Sequence, residues 1–443
     1  MTTMASPCDV STRYGLNPPR VRAPKLVTGV EFAFFRRAAM RRWTVRYGHV
    51  FEINVPLFGR CVVVSDPALV RQVCTAGVDQ LDNVAPNLGN WFGAGSTFGL
   101  DGSRHHDRRR LLAPALHGQS LKGCAQVIEE ETLRESANWP EGKEFRTFEP
   151  MNRITLAVIL RLVLGADGAE LDELSEIVPP YMTLGQVLAF VPAPTGWARR
   201  HGPWHKLDGF RGVFDRIVFT LIDKAQADPR LDDRTDVLAL LVRMQQRDPA
   251  AMTRSEVCDE LLTFIGAGHE TTAAALSWGF ERLRRQPDVL AELVNEVDEG
   301  GGALRRASIL ELLRARTVID VFGRRVNAPA FDLGQWRIPQ GCTVLVRIAD
   351  LHGHPQIYPH PERFDPHRFL GVRPSASAWL PFGGGTRRCL GADFAIAEMD
   401  IVLRTVLRNF CITTDDAPDE KSRFRGIAHV PRRGGRVVVH RRK

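Results

Sequence analysis

The sequence predicts a mainly α-helical protein with a small β-rich lobe, and three observations carry that prediction. Residues 253–286 hold the longest helical signal, opened by Thr253 and Glu256 in capping-box spacing and stopped by Pro287. Residues 50–55 and 61–64 are β-rich runs around a turn at 56–59, the pattern of a hairpin. The 443 residues are 44% hydrophobic and 25% charged, an ordinary globular balance with ample material for a core.

Residues 1–25 are polar, with Pro18, Pro19 and Pro24, and read as a tether. Residues 30–43 mix Phe, Ala and Met with four arginines. That segment reads as a surface helix, although the same composition would suit a membrane surface. The apolar run at 32–35 is stopped by Arg36 and Arg37, too short for a signal peptide or a spanning helix. After the hairpin, Asp66-Pro67 opens another helix. From 81 to 100, Asn, Gly and Pro interleave with Trp91, Phe92 and Phe98, a long irregular loop expected to form a substrate-facing wall.

His105 and Arg109 stand four apart in residues 101–116, so on a helix they share a face and could grip two neighbouring acidic groups. Without a dianionic cofactor, the same stretch is a solvated basic helix. Residues 128–164 alternate helical patterns with loops. Residues 174–204 turn apolar around Pro179, Pro180, Pro192, Pro194 and Pro203, as two helices joined by a mobile connection would. Such a connection serves either as a lid or as core packing.

Inside the long helix lies FIGAGHETTAAAL, residues 264–276. Gly266 and Gly268 each cost about 1 kcal/mol in a helix interior relative to alanine, so two in one turn need a cause. Thr263, Ala267, Thr271 and Ala274 are small and fall on one face, along which a flat macrocycle could approach. Glu270 and Thr271 put an acid beside an alcohol, a pair that could hold water in an opened turn and relay protons to a bound oxygen species. A seam of small residues for helix packing would read alike. Further on, ELLR at 311–314 reads as a surface ion pair, residues 336–339 and 342–348 as strands, and 361–369 as a proline-rich meander. From that meander Arg363 or Arg368 could reach back to Glu311. A helix to residue 407 and a strand at 437–439 complete the chain, and no internal repeat is present.

LPFGGGTRRCLG, residues 380–391, sets Cys389 after three glycines and two arginines and before a helical pattern. Gly383, Gly384 and Gly385 allow a tight bulge. A sulfur at a helix N-terminus is favoured as thiolate, Gly391 lets something flat lie on the first turn, and Arg387 can bond an anion such as a propionate. Thiolate, flat ligand and carboxylate partner together point to haem. A bland strand-to-helix turn is the alternative; a phosphate loop lacks its lysine. The eight cysteines are scattered singly without a CxxC pair, which suits a reducing, cytoplasmic compartment. The net charge of +8 comes with no nucleic-acid recognition motif and fits an acidic protein partner as well as plain solvated surface.

FGGGTRRCLG, residues 382–391, resembles the haem-ligand signature of the cytochrome P-450 haem-thiolate monooxygenases. AGHETT at 267–272 is similar to their oxygen-activating helix, ELLR to their E-x-x-R pair and PHRF at 366–369 to the arginine that closes that triad. HHDRR around His105 is similar to their haem-propionate helix, with His105 where many members carry tryptophan. The resemblance covers everything after the tether and implies one prism-shaped domain over residues 26–443, so a multi-domain reading is dropped. It implies haem b and O2, with Cys389 as iron ligand, Phe382, Ala267 and Gly391 against the haem, and His105, Arg109, Arg325 and Arg387 on its propionates. Glu270 and Thr271 would be catalytic, and Glu311, Arg314 and Arg368 structural. It further implies a monomer of the soluble bacterial type, a lipophilic substrate, and electrons from a ferredoxin and its reductase. A peroxide-driven enzyme or a haem-binding sensor of the same fold is the rival. Thr317, His354 and Glu270 depart from the commonest residues at their positions, which bears on local geometry.

Overall fold

The computed structural model describes residues 17–56, 58–84, 88–116, 123–188, 191 and 194–442. The chain divides into two compact units, each assembled from separated stretches. The first takes Met1–Pro86, Val321–Leu351 and Ala376–Arg388; the second takes Asn87–Asp320, His352–Ser375 and Cys389–Lys443.

The first unit is the β-rich one. Helices α1 (Lys25–Phe34) and α2 (Arg36–Tyr47) precede the hairpin of β1 (Val50–Val55) and β2 (Gly59–Val64), and α3 (Pro67–Thr75) follows. Asp66 caps α3 by accepting from the amides of Ala68 and Leu69, with Pro67 preset for the first turn. Three further strands, β3 (Leu81–Asp82), β4 (Val321–Val326) and β5 (Thr343–Arg347), complete a sheet ordered β1-β2-β5-β4-β3. Only β2 and β5 run parallel, with Cys61 opposite Thr343; the other pairs are antiparallel. Ala39, Met40, Trp43, Phe51, Ile53 and Val63 form the core between α2 and the hairpin.

The described end of the expected tether is part of this unit. Glu52 donates its amide to the Pro19 carbonyl and Val21 its amide to the Glu52 carbonyl, because Val21 has a place in the core. Residues 1–16 of that segment lie outside the described residues.

The second unit is built of helices. Those that position the site are α4 (Gly102–Leu112), α5 (Phe148–Leu164), α6 (Gly168–Leu188), α7 (Arg254–Leu283), α8 (Ala303–Ala315) and α9 (Ala392–Asn409). Helix α7 starts with the predicted capping box, Thr253 and Glu256 bonding each other's backbone, and runs unbroken for 30 residues. The two helices expected in 174–204 are α6 and the helix Pro203–Ala227, with Pro179 and Pro180 inside α6 and not in the connection. Leu174, Val178, Tyr181, Met182 and Gly185 are buried at helical spacing on either side of the pair, and that burial holds the helix through it. Pro192 lies outside the described residues. Beyond α9, β6 (Ser422–Arg425) and β7 (Ala428–Pro431) form a hairpin turned at Gly426, with φ of 60°. The predicted terminal strand is two short pieces, Arg436–Val437 and Val439–Arg441, pairing with Phe145–Arg146 and Phe410–Ile412.

Candidate active site

The glycine loop is shaped by its neighbour α3. A Cβ on Gly384 would stand 2.4 Å from Cys74 Sγ, and one on Gly385 would stand 2.7 Å from the Cys74 carbonyl oxygen. Gly383 and Gly385 also have φ of 68° and 69°, closed to most side chains. Two arginines fix the loop. Arg387 bonds the buried Asp82 carboxylate at 2.9 Å, and Arg324 Nη2 donates to the Gly384 carbonyl at 2.8 Å. Arg325, the arginine expected on a propionate, is exposed, whereas Arg324 and Val326 are buried. The alternation of β4 explains this, because neighbouring residues of a strand face opposite ways. The structure thus brings Arg324, the neighbour of the expected residue, to the glycine loop.

Cys389 is exposed and in no disulfide. It stands two residues before Gly391, the N-cap of α9. A Cβ on Gly391 would meet no atom within 4 Å, so the approach to that first turn is open. Phe382, on the other side of the glycines, packs edge-on to Trp379 with ring centroids 5.9 Å apart.

Helix α7 is buried almost all round in its C-terminal two-thirds, yet Phe264, Ala267, Gly268 and Thr271 are half-exposed at three- and four-residue spacing. They form one uncovered strip. Of the small face expected from sequence, Ala267 and Thr271 lie on it, while Thr263 and Ala274 are buried. The turn is closed: Thr271 Oγ1 donates to the Ala267 carbonyl at 2.8 Å and Thr272 Oγ1 to that of Gly268 at 3.0 Å. Glu270 is buried and anchored by distant residues. Arg425 Nε of the β6–β7 hairpin stands 3.1 Å from its Oε1, and Gln186 of α6 donates to its Oε2. His269 bonds the Ile265 carbonyl through Nδ1, and burial holds its pKa below the usual histidine range.

The glycines of α7 make room for neighbouring side chains. A Cβ on Gly266 would stand 2.3 Å from Phe92 Cε1 and 2.9 Å from the Met182 methyl, and one on Gly268 would stand 3.0 Å from Ile159 Cδ1. They admit side chains of the same unit. In the same way Gly185 of α6 leaves room for Trp91. Trp91, Phe92 and Phe98 form a cluster with centroids 4.3 and 5.3 Å apart in sequence order. Their loop is tied to α7 where Gly95 donates to Asp259 at 3.0 Å and Thr97 to Glu260 at 2.8 Å.

In α4, His105 is buried and Arg109 half-buried on the expected face. The most enclosed arginine is Arg108, which bonds Glu260 at 3.1 Å and the Gly95 carbonyl at 2.8 Å. It joins α4 to α7 and stands apart from the sequence prediction. ELLR is a buried network rather than a surface pair. Arg314 grips both oxygens of Glu311 at 2.7 Å, Arg368 Nε approaches Glu311 at 3.3 Å, and Arg314 also donates to the carbonyls of His352 and Pro361.

Sequence reasoning missed Arg324, Arg425 and Gln186. A hairpin signal was present for Arg425 in the alternating run around Gly426. Gln186 carried none, since nothing local links α6 to a carboxylate 84 positions away.

A sequence model of the family described as Cytochrome P450 matches residues 35–435. The chain belongs to the cytochrome P450 family. A Mycobacterium tuberculosis protein named cytochrome P450 138 is 54% identical over 425 residues, 96% of each chain. Another from that organism, cytochrome P450 135B1, is 37% identical over 428 residues, 94% of this chain and 90% of its own length. The solved structure of retinoic acid-bound cyanobacterial CYP120A1 superposes with a TM-score of 0.82 at 22% identity, covering 96% of this chain and 99% of that one. That likeness shows the fold. As a P450 the protein is a monooxygenase, with haem b as cofactor and O2 as co-substrate. The residues present fit that group: an exposed cysteine outside any disulfide, open space at Gly391, and a half-buried strip of α7.

Proposed function

We propose that this P450 inserts one atom of O2 into a lipophilic small molecule with electrons from a ferredoxin and its reductase, residues 26–443 working as one catalytic domain. The observation that carries the reading is the half-exposed strip of Phe264, Ala267, Gly268 and Thr271, with Glu270 anchored beside it. A phenyl ring, a methyl and a single hydroxyl suit an apolar substrate placed by one polar contact. The loop carrying Phe92 and Phe98 supplies the wall of that space.

When bound, haem supplies the activation of oxygen and its transfer to substrate. The chain supplies the rest. Cys389 Sγ would ligate the iron, and Arg324, Arg387, His105 and Arg109 would hold the propionates, Arg324 in place of Arg325. Thr271 Oγ1 turns from the Ala267 carbonyl to hold a water that carries the proton onward, and Glu270, on turning from Arg425 and Gln186, takes up a proton from bulk water and hands it to Thr271. The net charge of +8 favours docking of an acidic donor such as ferredoxin.

Replacing Thr271 with alanine tests the reading. Electron consumption should continue while product falls by about a hundredfold or more, the range of a lost proton-transfer group, and hydrogen peroxide rises. Unchanged coupling would remove the pair from the mechanism. Turnover faster with peroxide than with reduced ferredoxin would replace the proposed electron supply. Candidate substrates are ranked by their displacement of water from the iron, read in the absorption spectrum.

A further inference from the structure

Helix α1 is apolar on two opposite faces. On one, Thr28 Oγ1 donates to the Asn54 carbonyl, Gly29 lies so close to the hairpin turn that a Cβ would stand 2.6 Å from Pro56 Cδ, and Phe32 packs on the core. At about 100° per residue, Leu26, Val27, Val30 and Phe34 fall on the side away from these three. They face solvent, Leu26 and Phe34 at 77% exposure each, and Phe35 continues the ridge at 63% where α1 meets α2. An apolar helix face belongs inside a protein or in lipid, and this helix has a protein core on one side only. Its ridge gathers exposed apolar side chains that a water-facing helix would place singly.

The charge around the ridge has one sign. Residues 25–47 hold six basic residues, Lys25, Arg36, Arg37, Arg41, Arg42 and Arg46, against one acid, Glu31. Glu31 is already in an ion pair with Arg42 at 2.6 Å. A second copy of the chain meeting this face would bring like charges together, whereas anionic headgroups complement them. Among the described residues no helix is long and apolar enough to cross a membrane, so the segment would lie on a bilayer and not span it.

We propose that α1 and the start of α2 form a peripheral docking surface for an anionic lipid bilayer. Leu26, Val30, Phe34 and Phe35 enter the boundary between headgroups and acyl chains, and the arginines of α2 meet the lipid phosphates. The surface lies outside the catalytic residues, so it stands or falls independently of the substrate.

The test sediments the full-length, haem-loaded protein with vesicles of phosphatidylcholine alone and of phosphatidylcholine mixed with phosphatidylglycerol. Binding is expected to the mixed vesicles and to be weakened at high salt. The double variant Phe34→Ser/Phe35→Ser keeps every charge and should partition about tenfold more weakly, since both rings leave the interface. An unchanged spectrum of its reduced, carbon-monoxide-bound form confirms that it folds. Equal binding of variant and native protein would leave only bulk electrostatics and overturn the proposal, as would absence of binding to either vesicle. Concentration-dependent dimerisation in sedimentation velocity that the variant abolishes would assign the face to a second copy instead.

Discussion

Glu270 shows what a single side chain does here. Its carboxylate is buried, so water cannot solvate it, and its charge rests on Arg425 at 3.1 Å and on the Gln186 amide. Arg425 is a third exposed, so solvent screens the pair and its contribution to stability is about 1–2 kcal/mol, within reach of thermal opening. An acid held that firmly is kept from water near Thr271 until the pair opens. Arg425→Leu keeps apolar packing against Phe148, over whose ring the guanidinium sits at 5.3 Å, while removing the charge. The solvent deuterium effect on product formation should fall in Arg425→Leu and in Gln186→Leu, because Glu270 turns more readily in both to take up a proton and pass it on. The same effect in native protein and both variants would show that this anchor has no part in proton delivery.

At the scale of elements, α7 is organised by what its glycines admit. Two interior glycines cost about 2 kcal/mol of helix propensity together, and burying the Phe92 ring offsets a similar amount. Gly266→Ala should gain helix propensity yet lose more, by about 1–3 kcal/mol, because its methyl displaces Phe92 and Met182. In a Phe92→Ala background the same Gly266→Ala change should cost less, so the two are coupled in a double-mutant cycle; strict additivity would dissolve the link. Where α9 meets α7, Glu398 is fully enclosed beside Thr272, and burial pushes its carboxyl up to about 8. Between the ordinary value of 4.5 and about 8 the native protein holds a proton that the unfolded chain gives up. Stability from this group is therefore fully present below that ordinary value and is lost as pH rises through the folded one. Glu398→Gln should flatten the decline of the denaturant midpoint across that window, and an unaltered slope would contradict it. The sequence made the element types readable because helical spacing and capping are local. It showed that Gly266 needed a reason and could not show Phe92, 174 positions earlier, as that reason.

At the scale of the whole molecule, the chain leaves its helical unit after Asp320, contributes Val321–Leu351 to the other unit, and re-enters at His352. Arg314 precedes the exit and donates to the His352 carbonyl at 2.9 Å, while Thr317 Oγ1 meets His352 Nδ1 at 2.8 Å, so one network closes both ends of the excursion. E-x-x-R was legible as a motif, and Arg368 as one of two candidates. The burial was not, since i, i+3 spacing is the same on a wet face and a dry one. Burial decides the energetics. Glu311 and Arg314 are essentially without solvent contact, so losing one strands the other's charge at a cost of about 3–5 kcal/mol. Native stability is commonly about 5–15 kcal/mol, so that cost is a large share of it. Arg314→Leu should yield protein that melts well below the native form and fails to keep its haem absorption. The double change Glu311→Leu/Arg314→Leu removes the stranded charge along with the bond, and should melt above the single variant. Thermal scans followed by both far-ultraviolet dichroism and haem absorption separate these outcomes. A single variant that melts with the native protein would mean that the closure is held elsewhere, in the Thr317–His352 contact or the packing of residues 361–369 against α8.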